Sequence, residues 1–240
     1  MQAQETTEQE AAKEAPSTAL ILAELAASHR NAHRKVAEAD TRKHWVPSAG
    51  TYCYETHIAI PAQSIPSLKE VGELLYAQAS LSHHPWYPQF IEGQGATATA
   101  ERHPSTDKQC LAWAAFDLGV GSPRHYRQLV SRHTPTADTV VVVARSITAG
   151  PPLPETAKLA YTFSPNGEVL HFANGLLHWH HICCTPGAGL LPGPADRWLM
   201  NTLRWLGLDQ AERRTYTNEA LAMCDWLQAP DRDLPARRLE

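Results

Sequence analysis

The chain has 240 residues, 43% of them hydrophobic and 19% charged, which is enough apolar material for one substantial core and too much for a disordered or fibrous chain. A net charge of −4 and a pI near 6.3 do not predict nucleic-acid binding, which would need a concentrated basic face. The five cysteines (Cys53, Cys110, Cys183, Cys184 and Cys224) are odd in number and contain no Cys-x-x-Cys pair, so they read as reduced thiols of an intracellular protein, not as a disulfide framework.

Residues 1–17 are polar and acidic and read as a disordered tail. From residue 18 to 40 the spacing of Leu22, Leu25, His29, Ala32 and Val36 predicts an amphipathic helix. The apolar run Ala19–Ala27 carries Glu24 and follows no basic segment, so it does not fit a secretory signal. No stretch approaches the roughly 18–20 apolar residues that span a bilayer, and the expectation is a cytoplasmic protein. His29 and His33 lie among Arg30, Arg34 and Lys35, a basic helix face of the kind that makes transient contact with an anionic membrane surface.

Tyr52, Tyr54, Thr56, Ile58 and Ile60 alternate with Cys53, Glu55, His57 and Ala59, a period-two strand. Ser67-Leu-Lys-Glu70 has capping-box form and opens a helix whose buried face is Leu68, Val71, Leu74 and Leu75. His83–Phe90 reads as an aromatic turn, in which His83 and His84 are exposed. Strands are expected at 96–101, 110–116, 126–132, 139–147, 158–163, 168–172 and 176–184. The Ser164-Pro-Asn-Gly167 turn is expected to join the fifth and sixth of these as a hairpin. A Gly/Pro-rich loop covers 185–194. A helix then opens at Asp196 and stops at Gly207, and a further one lies between Thr217 and Leu227. Residues 18–228 therefore read as a single domain, and 229–240 as a frayed tail. Segregated helices around an antiparallel sheet make the fold class α+β.

The order of elements resembles the START-like (SRPBCC, helix-grip) lipid-binding family, and five stretches resemble its motifs. Leu74–Pro88 is similar to the leucine-rich helix that runs into a tryptophan–proline segment. Arg124-His-Tyr126 is similar to the family's Arg-Asp-aromatic strand opening, with His125 in place of the aspartate. Val140–Ser146 is similar to its valine-rich strand, and Thr185–Pro192 to its Gly-x-x-Pro loop, here without the usual aspartate. Trp198–Leu206 would be the closing helix. The resemblance implies a curved antiparallel sheet wrapped around a long C-terminal helix, with an extra N-terminal helix outside the family pattern. It also implies an internal cavity for a lipid or other apolar small molecule, lined by Tyr54, Trp113, Tyr126, Trp179, Trp198 and Leu203, with Arg124 or Arg145 meeting a polar head group.

The residues carry few competing signals. His178, His180 and Cys184 share one strand face, and imidazole and thiolate are zinc ligands, but no spacing marks a fourth ligand. Glu55 and His57 share a strand face as an acid–base pair. No hydrolase elbow, phosphate loop or dinucleotide fingerprint is present. The leading expectation is binding and transfer of an apolar ligand without catalysis and without a cofactor. A cyclase- or aromatase-like enzyme on the same fold and a protein-interaction module are the alternatives.

Overall fold

The computed structural model describes residues 6–28, 38–47, 49–65, 67–81, 90–117, 123–147, 158–160, 165–184 and 194–229. The elements are α1 (Glu8–Ser28), β1 (Asp40–Val46), β2 (Thr51–Pro61), α2 (Leu68–Leu81), β3 (Phe90–Thr97), β4 (Lys108–Phe116), β5 (Arg124–Thr136), β6 (Thr139–Ser146), β7 (Lys158–Ala160), β8 (Gly167–Ala173), β9 (Leu176–Cys183), α3 (Pro194–Trp205) and α4 (Gln210–Gln228). Eight strands make one curved, unclosed antiparallel sheet in the order β1-β2-β9-β8-β6-β5-β4-β3. The α+β class and the helix-grip architecture are thus as expected.

Local chemistry explains most of these elements. The consecutive β-branched residues Val140–Val143 make β6 a central strand, buried on both faces. β8 and β9 meet at Asn174-Gly175, with φ of 52° and 74°, the left-handed pair that a two-residue hairpin requires. Ser67 caps α2 as its sequence predicts. Glu70 accepts from the Ser67 backbone N–H at 2.9 Å, and the Glu70 N–H donates to Ser67 Oγ at 3.3 Å. α2 also lies very close to the sheet, since a Cβ on Gly72 would stand 2.8 Å from Val140 Cγ1.

The period-two alternation sorts the sheet into two faces. On the inner face Ile58, Ile60, Val130, Val140, Val142, Leu170 and Trp179 pack against Val71 and Leu75 of α2 and against Ala220, Met223 and Leu227 of α4. On the outer face Val141, Val143, Val169 and Ile182 pack under Ala19, Leu22 and Ala26 of α1.

Four expectations are corrected. α1 begins at Glu8, inside the segment read as a disordered tail, because Thr7 and Glu10 form a second capping box and Ala11, Ala12 and Ala15 are buried. It is described to Ser28, and the basic stretch 29–37 lies outside the described residues. The described residues of β7 pair with β5, running parallel to Arg124–Tyr126, and not with β8. The helix that grips the inner face is α4, not the Trp198–Leu206 segment, and α4 starts at Gln210, well before Thr217. The expected turn at 83–89, the loop at 185–193 and the tail at 230–240 also lie outside the described residues.

Candidate functional site

At one end of the inner face the apolar wall gives way to a small polar cluster between the sheet and α4. The antiparallel register sets Glu168 of β8 opposite His181 of β9, with Trp179 two residues along the same face. Trp179 Nε1 donates to Glu168 Oε2 at 2.8 Å. From above, α4 brings Tyr216 and Glu219, one helical turn apart and hence on one side of the helix. The Tyr216 ring meets His181 edge-on at 5.9 Å, and Glu219 Oε2 stands 3.9 Å from His181 Nδ1. Tyr54 of β2 completes the row, 5.3 Å from the Tyr216 ring.

Burial sets the protonation of this cluster. It pushes Glu219 up to about 8, aided by the charge of Glu168. It pushes Glu168 up to about 7, against the stabilising bond from Trp179. It also takes His181 down to about 4, so the imidazole is neutral at physiological pH. Two carboxyls that exchange protons near neutrality, beside a neutral imidazole, can donate to or accept from a hydroxyl, carbonyl or amine in an otherwise apolar surround.

A second polar set fastens α4 to the sheet. Tyr54 Oη donates to Asp209 Oδ2 at 2.7 Å, and Lys43 Nζ lies 3.3 Å from the same oxygen. Thr41 and Thr217 share a hydroxyl contact of 2.8 Å. Arg204, only 1% exposed, donates to both oxygens of Glu212 at 3.0 and 2.6 Å and to Thr51 Oγ1 at 3.2 Å.

The structure distributes the expected lining residues over both faces. Tyr54, Arg124, Tyr126 and Trp179 lie on the inner face. Trp113 and Arg145 do not, because the register turns both outward. Arg145 donates to Thr18 Oγ1 at 2.8 Å and to Glu14, both on α1. Trp198 is 71% exposed, and Leu203 is half-buried on the same α3. Sequence reasoning missed Glu168, His181 and Glu219. The signal available was the strand parity that places His181, next to the noted His180, on the Trp179 face.

The noted histidines sit on the outer face. His180 Nδ1 lies 2.9 Å from Glu55 Oε1, and His44 Nε2 lies 3.1 Å from Glu55 Oε2. His57 Nε2 is 3.0 Å from His178 Nδ1. The rings of His57, His171, His178 and His180 stack at centroid distances of 4.4–5.4 Å. Cys184 does not join them. It is buried with Cys53 under α1, and the Cys53 thiol is pushed up by its hydrogen bond with Cys184 and by burial. Among the described residues no three side chains converge as metal ligands.

No family model matches the sequence, and no curated protein matches it in sequence. Solved structures do resemble it in shape. A STAR-related lipid transfer protein from Xanthomonas axonopodis superposes with a TM-score of 0.58 at 13% identity, over 82% of this chain and 97% of that one. Human StAR-related lipid transfer protein 5 superposes with a TM-score of 0.55 at 12% identity, over 88% of this chain and 98% of that one. At such identities the likeness is one of fold, and the fold of this chain is the START-like helix-grip fold.

Proposed function

We propose that this chain binds, and transfers, a lipid or other apolar small molecule held between the inner face of the sheet and α4. The observation that carries the reading is the Glu168–His181–Glu219 cluster. It is a patch of hydrogen-bonding groups, two of which change protonation near neutrality, set in an apolar wall where such folds hold their ligands. Apolar contact supplies affinity at about 25 cal/mol per Å² removed from water, and the cluster fixes which end of the ligand lies there. Inner-face Tyr54, Arg124, Tyr126 and Trp179 are proposed to contact it, with no cofactor required. No helix among the described residues is long and apolar enough to cross a membrane, and a cytoplasmic location is part of the same proposal.

Native mass spectrometry, followed by solvent extraction of the purified protein, tests the reading. A stoichiometric apolar molecule is expected, lost or exchanged in Glu219→Ala. A uniformly empty protein that takes up no fluorescent lipid would sink it.

One observation favours a second reading, a cyclase- or aromatase-like enzyme. Paired carboxyls with values near 7 and 8 beside a neutral histidine are what general acid–base chemistry at neutral pH needs. Re-incubating the extracted molecule separates the two readings. Return of the same molecule supports binding, whereas a product whose formation disappears in Glu168→Gln supports catalysis.

A further inference from the structure

α3 carries an exposed aromatic surface that the inner site does not use. Trp198 is 71% exposed and Trp205 74%. Beside them, across a shallow groove of about 400 Å³, stand Trp45 and Tyr52 from the facing ends of β1 and β2. Trp45 is 50% exposed and packs edge-on against Tyr52 at 5.1 Å. The α3–α4 corner then adds Leu206 and Leu208, 55% and 67% exposed, around Gly207 with φ of 74°. An apolar patch of this kind on a water-soluble surface marks a contact with something else.

Three features identify the occupant. First, the groove's polar side chains are satisfied internally. Asn201 accepts from Thr51 Oγ1 at 2.8 Å and donates to the Gly50 carbonyl at 2.9 Å, and Thr202 Oγ1 donates to the Trp198 carbonyl at 2.9 Å. No charged side chain among the described residues lines the groove, so the described surface offers a partner little beyond ring faces and indole edges. Second, its chemistry is tryptophan and tyrosine with leucine at the tip, the composition that settles at the boundary between lipid head groups and acyl chains. Third, the acidic groups of the corner are neutralised inward. Asp209 is bound by Tyr54 and Lys43, and Glu212 by Arg204, while exposed Arg214 stands on the first turns of α4. The corner therefore presents apolar prongs with one exposed arginine on the adjoining helix and no outward carboxylate from these two residues, which suits a phosphate-bearing surface. A protein partner would be expected to ask the groove for directional hydrogen bonds, and the groove has few left to give.

We propose that the α3 surface built by Trp45, Tyr52, Trp198 and Trp205, with Leu206 and Leu208 at its tip, seats the protein on the interfacial layer of a phospholipid bilayer. In the lipid-transfer reading, on which its biological use rests, this puts the N-terminal end of α4 against the lipid from which a ligand comes. The buried Arg204–Glu212 pair holds α3 in place, so the rings are displayed on a fixed support.

The experiment uses the full chain and vesicles of phosphatidylcholine containing a minor fraction of phosphatidylserine. Co-sedimentation and tryptophan fluorescence should show binding, with a blue shift and quenching by lipids brominated high on the acyl chain. The double variant Trp198→Ala/Trp205→Ala removes two exposed rings and should lower the vesicle partition coefficient at least about tenfold. Its thermal unfolding should match the wild type. Leu208→Glu, which adds a like charge at the tip, should act in the same direction. Wild-type protein that stays off the vesicles, or variants that bind as well as wild type, would overturn the proposal. So would lipid-free wild type sedimenting as a dimer that the double variant makes monomeric, since the occupant would then be a second copy. Uptake of a fluorescent lipid in solution is measured in parallel. Ring-dependent vesicle binding without uptake would uphold the docking surface and remove the ligand reading instead.

Discussion

The two faces of the sheet bury acids in opposite ways. On the outer face Glu55 is 3% exposed and held between His44 and His180. On the inner face, among the described residues, Glu168 has one donor, Trp179, and Glu219 has the more distant His181, so burial drives both carboxyls toward the neutral form. The two clusters meet at β9, where His180 faces outward and the adjacent His181 inward. The difference teaches that a buried acid matched by its neighbours belongs to the architecture, whereas a buried acid left to protonate marks a place where a ligand's polar group can supply what the protein does not.

The largest expected effect tests whether the outer face is structural. Leu22 is fully buried between α1 and β6, β8 and β9, and Leu22→Ala should cost about 3 kcal/mol in urea unfolding while leaving ligand content unchanged. Loss of ligand in a folded Leu22→Ala protein would break the division of labour.

A matched pair of substitutions comes next. Glu55→Gln removes a carboxylate that accepts from two imidazoles and should destabilise by about 2 kcal/mol. Glu219→Gln removes only a carboxyl that burial already disfavours, so at pH 8 the variant should be more stable than wild type by about 2 kcal/mol. Equal signs for the two would erase the contrast.

The pH dependence sharpens the same point. Both inner carboxyls have folded values above the ordinary 4.5, so the stability tied to their protonated forms is complete below about pH 4.5 and is lost as pH rises through about 7 and 8. His181 acts in the other direction: its folded value of about 4 lies below 6.5, so its contribution is complete above about pH 6.5 and is lost as pH falls through 4. Unfolding free energy should therefore drop between pH 6.5 and 8.5, by about 2–3 kcal/mol, and the drop should vanish in Glu168→Gln/Glu219→Gln. The smallest expected effect is local. Ser67→Ala should cost about 1 kcal/mol by opening the α2 capping box, with no change at either polar cluster.

The parts of the molecule legible in sequence were those whose cause is local. The alternation of Tyr52–Ile60, the valine run of β6, the Ser67–Glu70 box and the Gly207 stop all appear in place. Equally local signals for α1 lay in Thr7–Glu10, but the acidic composition of the segment outweighed them in the reading. Long-range placement was not legible. Trp113 and Arg145 looked like lining residues because aromatic and cationic side chains are what a cavity uses, yet a register one residue different decides which face receives them. His181 was passed over because His178 and His180 formed the visible pattern, and only the fold shows that their parity points away from α4.

Gly72 has a mechanical implication for the grip itself. Its missing side chain lets α2 rest directly against Val140, beside the Glu73 ion pairs to Lys108 and Arg132, and close packing of that kind gives way only at the expense of a void. α4 is fastened at its start by hydroxyl and carboxylate contacts at Tyr54, Thr41 and Asp209, bonds that water can replace one at a time. The two helices on the inner face are thus unequal jaws, an anvil and a latch. Any widening of the space between them should begin at the latch, leaving the anvil and the sheet beneath it undisturbed.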